Sequence, residues 1–153
     1  MRPTTSRPSG ARIRPSSTGG SERILVDSSV WSLAFRRAGP SDHPVVRNLQ
    51  ALLEDQQIIV LVGIVLLEVL QGFRDNQTFE RYERALQPFP LLNLTRSDYM
   101  AAASIRRHCR TKGVTVSTTD AVVAAAAIEH DCYLFSADND FRLIARHTPL
   151  VLL

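Results

Sequence analysis

Arg23-Ile24-Leu25-Val26-Asp27-Ser28-Ser29-Val30-Trp31 is the stretch that decides how this 153-residue chain is read. A short apolar run of this kind is a buried strand, and the aspartate, hydroxyl pair and apolar-periodic segment after it turn that strand directly into a helix. Asp is a preferred helix N-cap, so backbone satisfaction alone accounts for one at such a junction. Chemistry becomes the better explanation only if other carboxylates reach the same point.

Working outward, the helix over 28–37 is stopped by Gly39-Pro40. Ser41 or Asp42 is placed to cap a second helix to about residue 55, with Pro44 in its first turn and Val45, Val46, Leu49, Leu52 and Leu53 as its apolar stripe. Ile58 to Leu61 reads as the second strand and Ile64 to Phe73 as the helix after it. Asn76 or Thr78 opens another helix, which Pro88 and Pro90 end, and Leu91 to Leu94 is the third strand. A helix over 97–111 closes at Gly113, and Ser117 or Thr118 caps the next one, to His130. Cys132 to Phe135 is the fourth strand, Phe141 to Ala145 a short helix, and Leu150 to Leu152 a final edge strand. Apolar strands alternating with helices predict an α/β fold whose sheet is mostly parallel and covered on both faces.

Ligands of an open parallel sheet bind beyond the carboxyl ends of its strands, which is where Asp27 falls. Glu68 lies in a helix apolar nearly all round, with Ile64, Val65, Gln71 and Gly72 rather than a Lys or Arg one turn away. A carboxylate in such surroundings is expected to be largely buried, and is costly there unless paired or bound to a metal. Asp120, in Ser117-Thr118-Thr119-Asp120, suits a first helical turn on its own account. Its helix feeds the fourth strand, however, and so must start at the carboxyl edge, with the preceding loop long enough to bring the chain back there. Asp138 and Asp140 occupy the turn after that strand. Acids from four segments thus converge on one edge, where mutual repulsion calls for a cation. Hard oxygen ligands suit Mg²⁺ or Mn²⁺, and the chemistry such an ion supports is metal-assisted hydrolysis of a phosphodiester.

The net charge of +3 invites a nucleic-acid partner, but its location matters. Residues 1–22 carry Arg2, Arg7, Arg12 and Arg14 against Glu22, and the domain over 23–153 is formally neutral. Rich in Ser, Pro, Gly and Arg, with almost nothing apolar to bury, the first 22 residues read as a disordered basic tail, either an arm that contacts RNA or the product of an upstream start. No apolar run is long enough for a membrane span. Cys109 and Cys132 lack metal-ligand spacing and read as free thiols of a reducing cytoplasm.

In order and context, Val26-Asp27-Ser28-Ser29-Val30-Trp31, Glu68 with Leu70 and Gly72, Asp120 with Ala121 and Val123 to Ala126, and Ser136-Ala137-Asp138-Asn139-Asp140-Phe141 resemble the PIN domain, most closely the VapC-type toxins of bacterial toxin–antitoxin pairs. The resemblance spans 23–153 and implies a three-layer α/β/α sandwich with a mostly parallel five-stranded sheet. It also implies a metal-dependent endoribonuclease, a small cognate antitoxin and a homodimer. By position, Asp27, Glu68 and Asp120 match the metal-coordinating catalytic acids, and Asp138 the fourth, with Asp140 in the second shell or in its place. Ser29 and Thr118 or Thr119 match polar positions that orient water or an acid. One departure is Leu61-Val62-Gly63-Ile64, where a Thr or Ser with Pro is more usual.

RNA would then meet Arg106, Arg107, Arg110 and Lys112, or Arg36 and Arg37, through salt-dependent phosphate contacts. Competing readings are a housekeeping RNA-processing nuclease of the same fold, an inactive binding module, and a phospho-acceptor signalling domain. The last wants an acidic pair at the first strand and a lysine near the last ones, and Lys112, the only lysine of the domain, lies elsewhere.

Overall fold

Residues 22–36 and 42–153 are described by the computed structural model. The expected basic tail, except Glu22, lies outside them, as do Arg37, the Gly39-Pro40 stop and Ser41. The elements are β1 (Arg23–Val26), α1 (Ser28–Arg36), α2 (Pro44–Glu54), β2 (Ile58–Val62), α3 (Gly63–Leu70), α4 (Asn76–Leu86), β3 (Leu91–Leu92), α5 (Arg96–Thr111), α6 (Thr118–Glu129), β4 (Cys132–Phe135) and α7 (Asp140–Ala145). Four strands form one all-parallel sheet in the order β3-β2-β1-β4, flanked by helices.

The two central strands are apolar because both of their faces are covered. Leu25, Val26, Val62 and Leu134 are fully buried, and each such side chain contributes about 1.5–3 kcal/mol on leaving water. In α6, Ala121, Val123 and Ala124 to Ala127 are all buried, so small side chains let this helix sit tightly against its neighbours.

The expected fifth strand joins the sheet at one bridge only, Leu134 with Leu152. Leu134 N–H donates to the Val151 carbonyl at 2.9 Å and Leu153 N–H to the Leu134 carbonyl at 3.0 Å. Just before it, the Thr148 hydroxyl turns back to the Ile144 carbonyl and Pro149 has no N–H, so pairing has no earlier residue to start from. The sheet therefore has four strands rather than five.

One cap also differs from expectation. His43, not Ser41 or Asp42, caps α2, its Nδ1 accepting from Val45 N–H at 3.2 Å, because Pro44 occupies the first helical position and the cap must precede it. Asn76 opens α4 as expected, and Asp75 before it caps the helix by accepting from Thr78 N–H at 2.8 Å. Ser117 caps α6 as expected.

Residues 112–117 do not carry the chain back across the sheet. Asp98 near the start of α5 meets His130 after the end of α6, and Arg106 further along α5 meets Val116 just before α6. The two helices are therefore antiparallel, and α5 itself brings the chain to the edge where α6 begins.

Buried Asp98 fastens the other end of this helix pair. Its Oδ2 accepts from Thr95 N–H at 2.6 Å and from the Thr95 hydroxyl at 2.9 Å, and its Oδ1 pairs with His130 Nε2 at 3.0 Å. The Thr95 backbone bond, with help from the Thr95 hydroxyl and His130 and against the opposing effect of burial, holds its carboxyl below the ordinary value. Replacing Asp98 by Ala removes the cap and strands its partners, so a loss of about 1–2 kcal/mol is expected, roughly 5 °C in Tm. A folded-state value below the unfolded one means the stabilisation is present above about pH 4 and is lost as pH falls through the folded value. The Tm gap between wild type and Asp98→Ala should therefore narrow in acid, and a gap unchanged between pH 6 and 3 would contradict this role.

Candidate metal centre

Parallel register brings the ends of β1 and β4 together, Val26 opposite Phe135. Asp27 N–H continues the ladder by donating to the Phe135 carbonyl at 2.9 Å, so Asp27 and Ser136 emerge side by side at the carboxyl edge. Asp27 is only 4% exposed. Its Oδ2 accepts from the Ser29 hydroxyl at 2.7 Å, the Ser136 hydroxyl at 2.9 Å and Ser29 N–H at 3.3 Å. Among the described residues Oδ1 has no hydrogen bond, so one oxygen is committed to the fold and the other is not.

Both serines act in two directions. A hydroxyl has one proton to give, and here each gives it to Asp27. Their oxygens are then acceptors, Ser29 Oγ for Ala137 N–H and Ser136 Oγ for Asp138 N–H, both at 3.0 Å. Asp138 Oδ1 in turn accepts from Asp140 N–H at 2.9 Å and opens α7. Strand end, turn and helix start are thus one bonded unit that aims Asp138 and Asp140 at a single place.

Asp120 comes to that place from α6. Ser117 Oγ accepts from Asp120 N–H at 3.0 Å and sets the first turn. One carboxylate oxygen each from Asp120, Asp138 and Asp140 lie within 4.8 Å of one another. Burial is the main cause that pushes the Asp120 carboxyl up from its ordinary value, and the charges of Asp138, Asp27 and Asp140 push the same way, offset in part by Ser117. Asp140, which the sequence leaves as a second-shell residue or a substitute for Asp138, stands beside Asp138 in this cluster.

Glu68 is half-buried rather than largely buried. Its helix shows one side to solvent, with neighbouring Leu67 57% exposed, so the acid is not enclosed as the all-apolar sequence suggests. Ser28 supplies the missing partner, its hydroxyl donating to Glu68 Oε2 at 2.8 Å. Glu68 and Asp27 fall outside the mutual 4.8 Å group. Thr118 and Thr119 make no side-chain hydrogen bond among the described residues; Thr118 is exposed and Thr119 partly so. Arg107, Arg110, Lys112 and Arg36 are exposed, and the first three close α5 at the end that adjoins the start of α6.

Ser28 and Ser136, which hydrogen-bond Glu68 and Asp27, do not stand out as site residues in the sequence. Their signal was present: hydroxyls placed directly after the two strand ends that meet in register, beside acids in both cases.

The donor set fits a divalent cation. Three carboxylate oxygens converge without a basic side chain, since among the described residues the only ion pair within 4 Å is His130 with Asp98. Carboxylates gathered this way in partial exposure match the hard, oxygen-rich, partly hydrated shell of ions such as Mg²⁺ or Mn²⁺.

Comparison with known proteins bears on the fold and the family. The family model described as PIN domain matches residues 24–147. Ribonuclease VapC11 of Mycobacterium tuberculosis (strain ATCC 25618 / H37Rv) is 38% identical over 129 residues, covering 83% of this chain and 95% of that protein. Among solved structures, VapBC2 from Rickettsia felis bound to a DNA fragment from its promoter aligns with a TM-score of 0.69 at 19% identity, over 86% of this chain and 97% of that one. FitAcB from Neisseria gonorrhoeae aligns with a TM-score of 0.64 at 20% identity, over 85% and 96%. At those identities the two structures speak for the fold; the family model and the VapC ribonuclease carry the kinship, and this chain belongs to the PIN domain family.

Proposed function

We propose that the chain is a Mg²⁺-dependent endoribonuclease, the toxin of a toxin–antitoxin pair, that hydrolyses RNA phosphodiester bonds at the carboxyl edge of its sheet. The observation that carries this is the convergence of Asp120, Asp138 and Asp140 beside the serine-held Asp27. Asp27, Glu68, Asp120 and Asp138 are the catalytic acids, joined by Asp140. When bound, the ion supplies an activated water and charge stabilisation at the phosphate oxygens. The protein's part is to hold the ligands: Ser29 and Ser136 occupy Asp27 Oδ2 and leave Oδ1 for the ion, Ser28 orients Glu68, and Ser117 sets Asp120.

RNA is held through phosphate contacts from Arg106, Arg107, Arg110 and Lys112, with Arg36 and Arg37 as a second set. What supports this is that the basic end of α5 lies next to the acid-bearing start of α6, so a phosphate backbone can reach both.

The expected protein partner is a small cognate antitoxin, as the toxin–antitoxin complexes among the structural neighbours suggest. A second copy of the chain is expected at the cleft of about 390 Å³ where Leu67, Leu91 and Tyr99 are exposed, since largely apolar faces are the mark of homodimers. Among the described residues no helix is long and apolar enough to cross a membrane, and the proposed compartment is the cytoplasm. Membership of the PIN domain family sets aside the phospho-acceptor reading.

Inducible expression of wild type beside Asp27→Asn, with cellular RNA 5′ ends mapped, tests the toxin reading. Growth arrest and new RNA ends are expected from wild type alone. Equal growth of both strains, with no new ends, would leave a processing nuclease as the better description.

A further inference from the structure

The guanidinium of Arg106 is not simply a surface charge. Its Nε–H donates to the Val116 carbonyl at 2.9 Å, across ten residues of chain, while neither Nη makes a hydrogen bond among the described residues. Val116 is buried and is the last residue before Ser117, whose hydroxyl caps α6 and receives Asp120 N–H. Between α5 and α6 the chain has no regular structure. It is held by Gly113 at φ +77, by Val114 N–H on the Cys109 carbonyl at 3.0 Å, and by the Arg106 bond. Of these, only the Arg106 bond acts at the residue next to the cap.

We infer that Arg106 is a positioning residue for the metal-binding acids: by fixing the Val116 carbonyl it sets where α6 begins, and so where Asp120 stands relative to Asp138 and Asp140. This rests on the metal-dependent ribonuclease proposed above and gives that site a support outside its ligands. Carboxylates that must share one ion tolerate little displacement; loss of a group bonded directly to a ligand typically costs about 10–100-fold in metal affinity or activity, and Arg106, one step further out, is expected at the lower end of that range. An arginine suits the task because its planar fork can commit Nε inward and still present both Nη groups outward, which a lysine ammonium cannot do.

Charge and tether are separable with two variants. Arg106→Lys keeps the positive charge and loses the Nε bond; Arg106→Met keeps the apolar stem and loses both. Arg107→Met, on the same helix without the bond, reports what loss of a phosphate contact alone does. Mn²⁺ affinity, measured by calorimetry on each folded variant without RNA, is expected to fall about tenfold in both Arg106 variants and to match wild type in Arg107→Met. With RNA, Arg106→Lys is expected to lower kcat more than it raises KM, whereas Arg107→Met raises KM and flattens the salt dependence. Wild-type Mn²⁺ affinity in Arg106→Lys, or in Arg106→Met, would overturn the inference. Wild type that takes up no Mn²⁺ at all would overturn the metal reading beneath it, so the two failures are distinct.

Discussion

RNA cleavage by Asp27→Asn and by Asp120→Asn is expected to fall by about 10³-fold or more relative to wild type, in millimolar Mg²⁺ and with the fold intact. The magnitude follows from what a bound ion contributes to such a reaction, several kcal/mol of transition-state charge stabilisation at about 1.4 kcal/mol per tenfold in rate. Asparagine is nearly the same size and shape as aspartate, so the substitution acts on charge rather than packing. At Asp27, the amide oxygen of Asn can still accept from Ser29 and Ser136, which keeps the turn in place while weakening the ligand. At Asp120 the half-exposed position tolerates the amide directly. Far-UV circular dichroism should therefore match wild type in both. Cleavage retained within tenfold in both variants, or in wild type with excess EDTA, would remove the acidic cluster from the mechanism.

Bound metal and removal of the Asp120 charge are each expected to relieve repulsion in the cluster, and so not to add. Saturation with Mg²⁺ or Mn²⁺ at about a hundred times Kd adds about 2.7 kcal/mol, since the ion binds the folded state alone. For a domain of this size that is a rise of roughly 5–10 °C in Tm. Asp120→Asn should lose most of this rise. Without metal, the same variant should be at least as stable as wild type at neutral pH, because it removes a carboxylate disfavoured by burial and by Asp138, Asp27 and Asp140.

The pH dependence gives the sign independently. The Asp120 carboxyl is raised in the folded state, so the folded protein holds the proton more tightly than the unfolded chain does. Its ionisation therefore costs stability as pH rises from about 4 through the raised value, and the cost persists above it. In EDTA, wild type should lose stability over that interval relative to Asp120→Asn. A variant that keeps the full metal-induced rise would place the ion elsewhere.

Much of this was legible along the chain. Ile24 to Val26, Ile58 to Leu61 and Cys132 to Phe135 read as strands because a strand covered on both faces must be apolar at nearly every position. Asp27, Asp120 and Asp138 stood out because each follows or feeds one of those strands, and connection rules for parallel sheets confine such residues to one edge. Local chemistry also located Ser117 as a cap. It failed at His43, where several polar residues compete and the direction of the backbone, not side-chain preference, selects among them.

What the sequence by itself determined is therefore the kind of fold and the sheet edge at which Asp27, Asp120, Asp138 and Asp140 gather, all consequences of periodicity and chain direction. Only the tertiary structure decided which atoms meet. Ser136 belongs with Asp27 because β1 and β4, more than a hundred residues apart, pair Val26 with Phe135. Glu68 finds Ser28, Asp140 stands with Asp120 and Asp138, and Arg106 turns inward to Val116. Such contacts depend on strand register and helix packing, set by long-range burial, and no window of neighbouring residues contains both partners.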